Sequence, residues 1–221
     1  MASSCTVAVR EALEEWAAAE GLTLTEETWK RLDGLVELWK RYGAAFNLVG
    51  DRGTAALVEH VREGLMAVRV VERLGGGGLW VDIGSGAGIP GLVVGVVRGN
   101  VALVEPRERR SAFLELAISH LSVREGRAFR ARWGSGTFTK VGSAAPDEWL
   151  DGEIGVVSSK AVMAPESWVF EGELAAPRGV VVCHVNENVA GAVRARFSAE
   201  IAYKARVVGA FRSADAVSAE N

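Results

Sequence analysis

Hydrophobic and polar positions follow two rhythms along this chain, and the change falls at four consecutive glycines, Gly75–Gly78. Before them the period is that of a helix. Residues 6–20 are rich in Ala, Glu and Leu and stop at Gly21, a residue suited to a helix C-terminus. Thr23-Leu24-Thr25-Glu26 fits a capping box, and behind it Trp29, Leu32, Val36, Trp39 and Tyr42 recur at helical spacing. A turn over residues 46–53 leads to a third helix from Thr54, with Leu57, Val61, Leu65 and Val68 on one face. The tryptophan stripe reads as core packing in preference to an aromatic binding surface.

After the glycines, short apolar runs alternate with helical segments. Strands are expected at 79–82, 101–104, 127–132, 154–158, 179–184 and 200–208, and helices at 90–97, 108–121, 166–175 and 187–197. Pro90 suits the first helical position, where its missing N–H costs nothing. This alternation implies an α/β fold with a doubly wound, mostly parallel sheet. Residues 133–152 read as a loop over one sheet edge. The expected organisation is a helical lobe (1–78), an α/β core (79–212) and a disordered tail (213–221).

Composition narrows the class. The chain has 221 residues, 49% of them hydrophobic, which suits one compact domain with a small helical appendage. Its two cysteines, Cys5 and Cys183, share no motif with His60, His120 or His184, so neither a disulfide framework nor a metal site is expected. The first residues lack the pattern of a secretory leader, and the longest apolar runs are too short to span a bilayer. A cytoplasmic, monomeric protein with no membrane partner is the expectation. The net charge of −3 is unevenly spread. Residues 98–140 carry nine basic side chains against four acids, a local +5, whereas 141–185 carry two against seven, a local −5. A basic face can grip phosphates, and a solvated surface of mixed charge is the competing account.

The candidate chemistry lies at Trp80-Val81-Asp82-Ile83-Gly84-Ser85-Gly86-Ala87-Gly88-Ile89-Pro90-Gly91: an apolar strand, an acid, then a glycine-rich turn. Glycines let a backbone approach a ligand at the tip of a parallel sheet. Glu105 closes the next apolar run, 21 positions after Gly84, about one βαβ step away, where a carboxylate can hold a ribose. Gly86–Gly91 also fits the dinucleotide fingerprint. Asp82 at the strand end would oppose a pyrophosphate, however, and the match begins two residues late. S-Adenosylmethionine carries a sulfonium and no phosphate, so it is the favoured ligand; a purely structural glycine turn is the third reading.

These residues resemble the small-subunit ribosomal RNA methyltransferase G family, also called glucose-inhibited division protein B. The likeness rests on Phe46-Asn47-Leu48, His60 within a helix, Val81–Gly91, and Leu103-Val104-Glu105-Pro106-Arg107-Glu108-Arg109-Arg110-Ser111-Ala112-Phe113-Leu114. It implies a Rossmann-like methyltransferase fold and transfer of a methyl group from S-adenosylmethionine to guanine N7 of small-subunit rRNA. Asp82, Gly84, Ser85, Gly86, Ile89, Glu105, Trp133 and Gly134 would then line the cofactor site. Lys160, Arg132 and His60 would face the reacting groups. Guanine N7 has no proton to lose, so the reaction needs positioning and a suitable field more than a base. His60 and His184 are candidate bases if the acceptor were a hydroxyl or amine, and structural histidines otherwise.

The chain departs from the family pattern at Glu59 and Lys160, where arginines are usual, at Gly155 for an acid, at Val185 for a lysine, and in its non-basic C-terminus. Several of these changes remove positive charge. The alternative readings are a small-molecule methyltransferase on the same scaffold and a non-catalytic binding module that retains the cofactor.

Overall fold

The computed structural model describes residues 9–46, 48, 50–141 and 153–213; Cys5, Asn47, most of the expected 133–152 loop and the tail beyond Ser213 lie outside them. Three helices come first: α1 (Val9–Ala19), α2 (Glu26–Tyr42) and α3 (Thr54–Arg73). The N-cap of α2 is Thr25, whose hydroxyl accepts from the Thr28 N–H at 3.2 Å. The expected box from Thr23 to Glu26 therefore does not form: the helix starts two residues later, and the two threonine hydroxyls meet at 2.9 Å instead.

The α/β part runs β1 (Leu79–Ile83), α4 (Gly91–Arg98), β2 (Val101–Val104), α5 (Glu108–His120), β3 (Gly126–Phe129), β4 (Ala131–Gly134), β5 (Thr137–Lys140), β6 (Ile154–Ser159), α6 (Pro165–Ala175), β7 (Val180–Asn186), α7 (Gly191–Arg194), β8 (Ala199–Tyr203) and β9 (Arg206–Arg212). Seven strands form one sheet in the order β3-β2-β1-β6-β7-β9-β8. The first five are parallel and β9 runs antiparallel to both neighbours. This is the doubly wound, Rossmann-like arrangement expected, with the chain reversing direction of travel across β1.

Several expectations change in detail: the helix expected at 187–197 is reduced to α7, and the start of the loop expected at 133–152 is a hairpin. The run 127–132 is not one strand: it breaks at Arg130, and its second half pairs with β5 in a separate two-stranded hairpin. Ser135 and Gly136, both at positive φ (52° and 77°), make that tight turn. Residues 200–208 likewise divide into β8 and β9 around Lys204, at φ 53°. Pro90 caps α4 rather than opening it, and follows a cis peptide bond.

Alternation along the buried strands sends side chains to two cores. Trp80, Val101, Leu103, Val156, Val182 and Val208 join the helices α1–α4 on one face. Val81, Ile83, Val104, Val157, Val181 and Phe211 meet Trp168 and Ala175 of α6 on the other. The three leading helices thus form a layer over the sheet. Contact is close enough that a Cβ on Gly64 of α3 would run into Val93 of α4. Farther along the sheet, the buried Arg62 of α3 stacks its guanidinium 3.9 Å from the Tyr203 ring centre, tying that layer to β8.

Candidate active site

Parallel strands β1, β2 and β6 end at one edge, and the loop Gly84–Pro90 crosses it. The N–H groups of Gly84 and Ser85 both donate to the Val104 carbonyl, at 2.8 and 3.0 Å, so the turn hangs on the end of β2. Gly84 holds φ +72°, and a Cβ there would collide with Val162 Cγ2 in the loop after β6. The bare backbone is thus a requirement of the turn. From the helical layer, the buried Trp39 donates its indole N–H to the Ala87 carbonyl at 2.8 Å. The tryptophan expected to serve only as core therefore also pins the glycine loop.

Glu105, 3% exposed, sits directly beside this loop. One carboxylate oxygen accepts from the Gly86 N–H at 3.0 Å and the other from the Arg107 N–H at 2.9 Å. Each oxygen keeps a lone pair for a further donor, which is what recognition of a diol requires.

Together these elements bound a cleft of about 640 Å³. His60, Gly84, Ser85, Gly86, Ile89, Glu105, Arg132, Trp133 and Lys160 all line it, bringing together nine residues singled out in the sequence. Trp133 stands on the hairpin, with its indole N–H donating to Glu171 of α6 at 2.8 Å and its ring edge-on to Phe138, 4.6 Å between centres.

Two other expected residues stand outside the lining. Asp82 is buried behind the loop, where it accepts from the Ser158 hydroxyl at 2.7 Å, which in turn accepts from the Trp80 indole at 2.8 Å. Burial raises its carboxyl pKa. A Cβ on Gly91 would come within 2.6 Å of its other oxygen, so Asp82 packs under the start of α4 instead of facing the cleft. Gly134 ends β4 beyond the cleft wall.

The basic stretch 98–140 divides between the two ends of the sheet. Arg98 and Arg124 bond to backbone carbonyls, of Gly76 and Arg98 respectively, at the strand N-termini. Arg130 pairs with Glu108 at 3.3 Å. Arg107, Arg110 and Arg132 reach the cleft, where with Lys160 they face, among the described residues, a single lining acid, Glu105.

The cluster missed by sequence reasoning centres on Glu63. This carboxylate is 3% exposed, and it receives the Lys160 ammonium at 2.5 Å and His184 Nδ1 at 3.2 Å. Arg206 lies 3.7 Å away and His60 Nδ1 4.0 Å away. Burial opposes ionisation of Glu63, but His184 and Lys160 outweigh it and hold the pKa well below the usual carboxylate range. Burial and the Lys160 charge push the His60 imidazole down to about 4, so at pH 7 it is neutral. His184 packs against Glu63 with a 1% exposed side chain and does not line the main cleft. The available signal was His60-x-x-Glu63, one turn apart on a helix, an acid and an imidazole on the same face.

A family model described as rRNA small subunit methyltransferase G matches residues 28–141, which hold α2, α3, the glycine loop and Glu105. The chain belongs to this family. A relative from Halorhodospira halophila, a ribosomal RNA small subunit methyltransferase G, is 29% identical over 165 residues, 72% of this chain and 70% of its own length. Relatives of the same name from Salinispora arenicola and Sphingopyxis alaskensis are 38% and 33% identical, over 48% and 56% of their lengths. The chain thus spans from about half to seven tenths of the length of these three relatives. A ribosomal protein L11 methylase from Lactobacillus delbrueckii superposes with a TM-score of 0.47 at 12% identity, over 75% of this chain and 81% of that one. Membership of the rRNA methyltransferase G family implies a methyltransferase, and with it S-adenosylmethionine as donor. Among the described residues, no helix is long and apolar enough to cross a membrane.

Gly155 has a physical reason to carry no side chain. A Cβ on Gly155 would collide with the Gly77 carbonyl, so no side chain fits while the Gly75–Gly78 segment runs where it does.

Proposed function

We propose that this chain transfers a methyl group from S-adenosylmethionine to N7 of a guanine in small-subunit rRNA. The observation that carries the reading is the continuity of one cleft, from the glycine loop and Glu105 at one end to Lys160 and Arg132 at the other, with four basic lining residues against one acid among the described residues. Gly84, Ser85, Gly86 and Ile89 offer backbone and small side chains to the cofactor. Glu105 accepts from its ribose hydroxyls, and Trp133 walls the adenine side. The cofactor supplies an activated methyl group on a sulfonium.

The remaining chemistry falls to this chain's own residues. Lys160 donates to the purine edge at guanine O6, an acceptor where adenine presents an amino donor, so an ammonium favours guanine and leaves the N7 lone pair free for the methyl group. Arg107, Arg110 and Arg132 meet backbone phosphates at the mouth. His60, neutral at pH 7, contributes a hydrogen bond without adding charge beside a purine that becomes cationic. No side chain has to remove a proton, since N7 carries none.

The test is transfer of radiolabelled methyl to small ribosomal subunits lacking the modification, run beside a small-molecule extract of the source cells. Label in the rRNA, released by mild depurination and lost in Lys160→Ala, is the expected result. Label confined to the small-molecule fraction would refute the rRNA reading and favour a compact acceptor against Trp133.

A further inference from the structure

Lys160 faces the acceptor in the reaction proposed above, and its charge raises a problem for that reaction. The acceptor purine gains a full positive charge as the methyl group arrives, and a bare ammonium at hydrogen-bonding distance would oppose that change. The structure holds an answer in Glu63. Its carboxylate lies on the helix that also carries His60, and it reaches across to Lys160, the residue that follows β6. Lys160 keeps a 19% exposed side chain in the cleft lining, while Glu63 is 4% exposed behind it. The ammonium has three N–H donors. Among the described residues Glu63 is its hydrogen-bond partner, so two donors remain for a ligand.

We infer that Glu63 is the positioning residue for Lys160: it fixes the ammonium at the cleft wall and offsets its charge, so that the cation can bind a purine edge without resisting the formation of a second cation. This rests on the reading of Lys160 as the residue that faces the acceptor base.

The rest of the cluster fits that role. Glu63 collects groups from three further places in the fold: His184 from β7, Arg206 from the first position of β9, and His60 one helical turn earlier on α3. In the sheet, Ser159 is in register with Cys183, so the next residues, Lys160 just past the end of β6 and His184 within β7, come side by side and meet one carboxylate. Arg206 is half exposed, and its guanidinium contacts the same oxygen as Lys160, at 3.7 Å against 2.5 Å. An ion pair this buried gives little net stability over an apolar pair of the same volume, because desolvation of both charges cancels most of the attraction. Its place at the wall of the cleft is accounted for by what it does to Lys160.

The decisive experiment is a double-mutant cycle on the full chain with Glu63→Gln and Lys160→Gln, each an uncharged side chain that can still hydrogen-bond. Cofactor affinity by calorimetry and thermal stability are measured alongside single-turnover methyl transfer well below the melting temperature. Glu63→Gln is expected to lower the transfer rate about tenfold, a fold-change typical of directly coupled residues, with cofactor Kd within twofold of the parent. In the Lys160→Gln background the same change should cost nothing further. Glu63→Asp, which keeps the charge with a shorter reach, should recover part of the rate; Glu63→Met, uncharged and of similar volume, replaces Glu63→Gln in the cycle if the latter does not fold. Full activity in Glu63→Gln, or losses that multiply in the double variant, would overturn the inference. Full activity in Lys160→Gln would instead remove the reading of Lys160 on which it rests.

Discussion

Replacing Trp39 by Phe asks whether the helical layer holds the cofactor loop or only covers the sheet. Trp39 is fully buried, and its indole N–H is the donor to the Ala87 carbonyl at 2.8 Å. Phe keeps the six-membered ring and removes the donor. A buried carbonyl left without its partner costs about 1–3 kcal/mol, and the space of the lost pyrrole portion adds roughly 1 kcal/mol. About 3 kcal/mol in total corresponds, for a chain of this size, to a fall in Tm of roughly 6–12 °C.

The functional consequence is separate from the stability loss. Ala87 lies between Gly86, which donates to Glu105, and Gly88, so freeing its carbonyl loosens the segment that must be ordered to receive a ligand. Ordering it on binding should raise the Kd for S-adenosylmethionine about fivefold, on the scale of one immobilised group. Calorimetric unfolding gives the first quantity and isothermal titration at a temperature well below Tm gives the second. A lowered Tm with unchanged cofactor Kd would refute the reasoning: the bond would then stabilise the fold without shaping the site.

Two further outcomes follow from the same geometry. His60 titrates near 4 in the folded chain against 6.5 unfolded, so between those values the unfolded state binds the extra proton. Stability should therefore fall as pH drops from about 6.5 to 4, by up to about 3 kcal/mol from this group, and urea titrations of His60→Gln should show a shallower fall over that window; an identical slope would contradict the burial argument. Gly84→Ala places a Cβ against Val162 and holds Ala at φ +72°, a conformation costing about 1–2 kcal/mol. It should weaken cofactor binding at least tenfold, about 1.4 kcal/mol, with Val162→Ala restoring only part, and complete restoration would show that contact rather than backbone strain dominates.

What could be read in the chain beforehand divides along a physical line. The strand 101–104, the glycine turn and Glu105 were legible because each is specified by adjacent residues: an apolar run, glycines at positive φ, an acid at a strand end. The two hairpins were not. Arg130 breaks the run 127–132 without any glycine or proline to mark it, and Lys204 turns the chain at positive φ, a conformation its side chain does not advertise. The cap of α2 moved to Thr25 because two threonines were available and the helix began at the later one. Glu63 escaped notice for a different reason. Its partners lie 97, 121 and 143 positions away in sequence, and only the parallel register of β6 and β7, with β9 beside them, brings them to one carboxylate. The split of the basic segment was equally invisible, since strand direction decides which arginines reach the ligand edge.

The hairpin of β4 and β5 stands apart from the seven-stranded sheet, its strands pairing only with each other. It nevertheless supplies Arg132 and Trp133 to one wall of the cleft. A wall built this way can be lengthened, shortened or exchanged without shifting any register in the main sheet, and so without disturbing the glycine turn. Arg132 and Trp133 are thus carried on a piece of chain separable from the main sheet, and a grafted hairpin is the place to begin in reshaping this wall of the cleft.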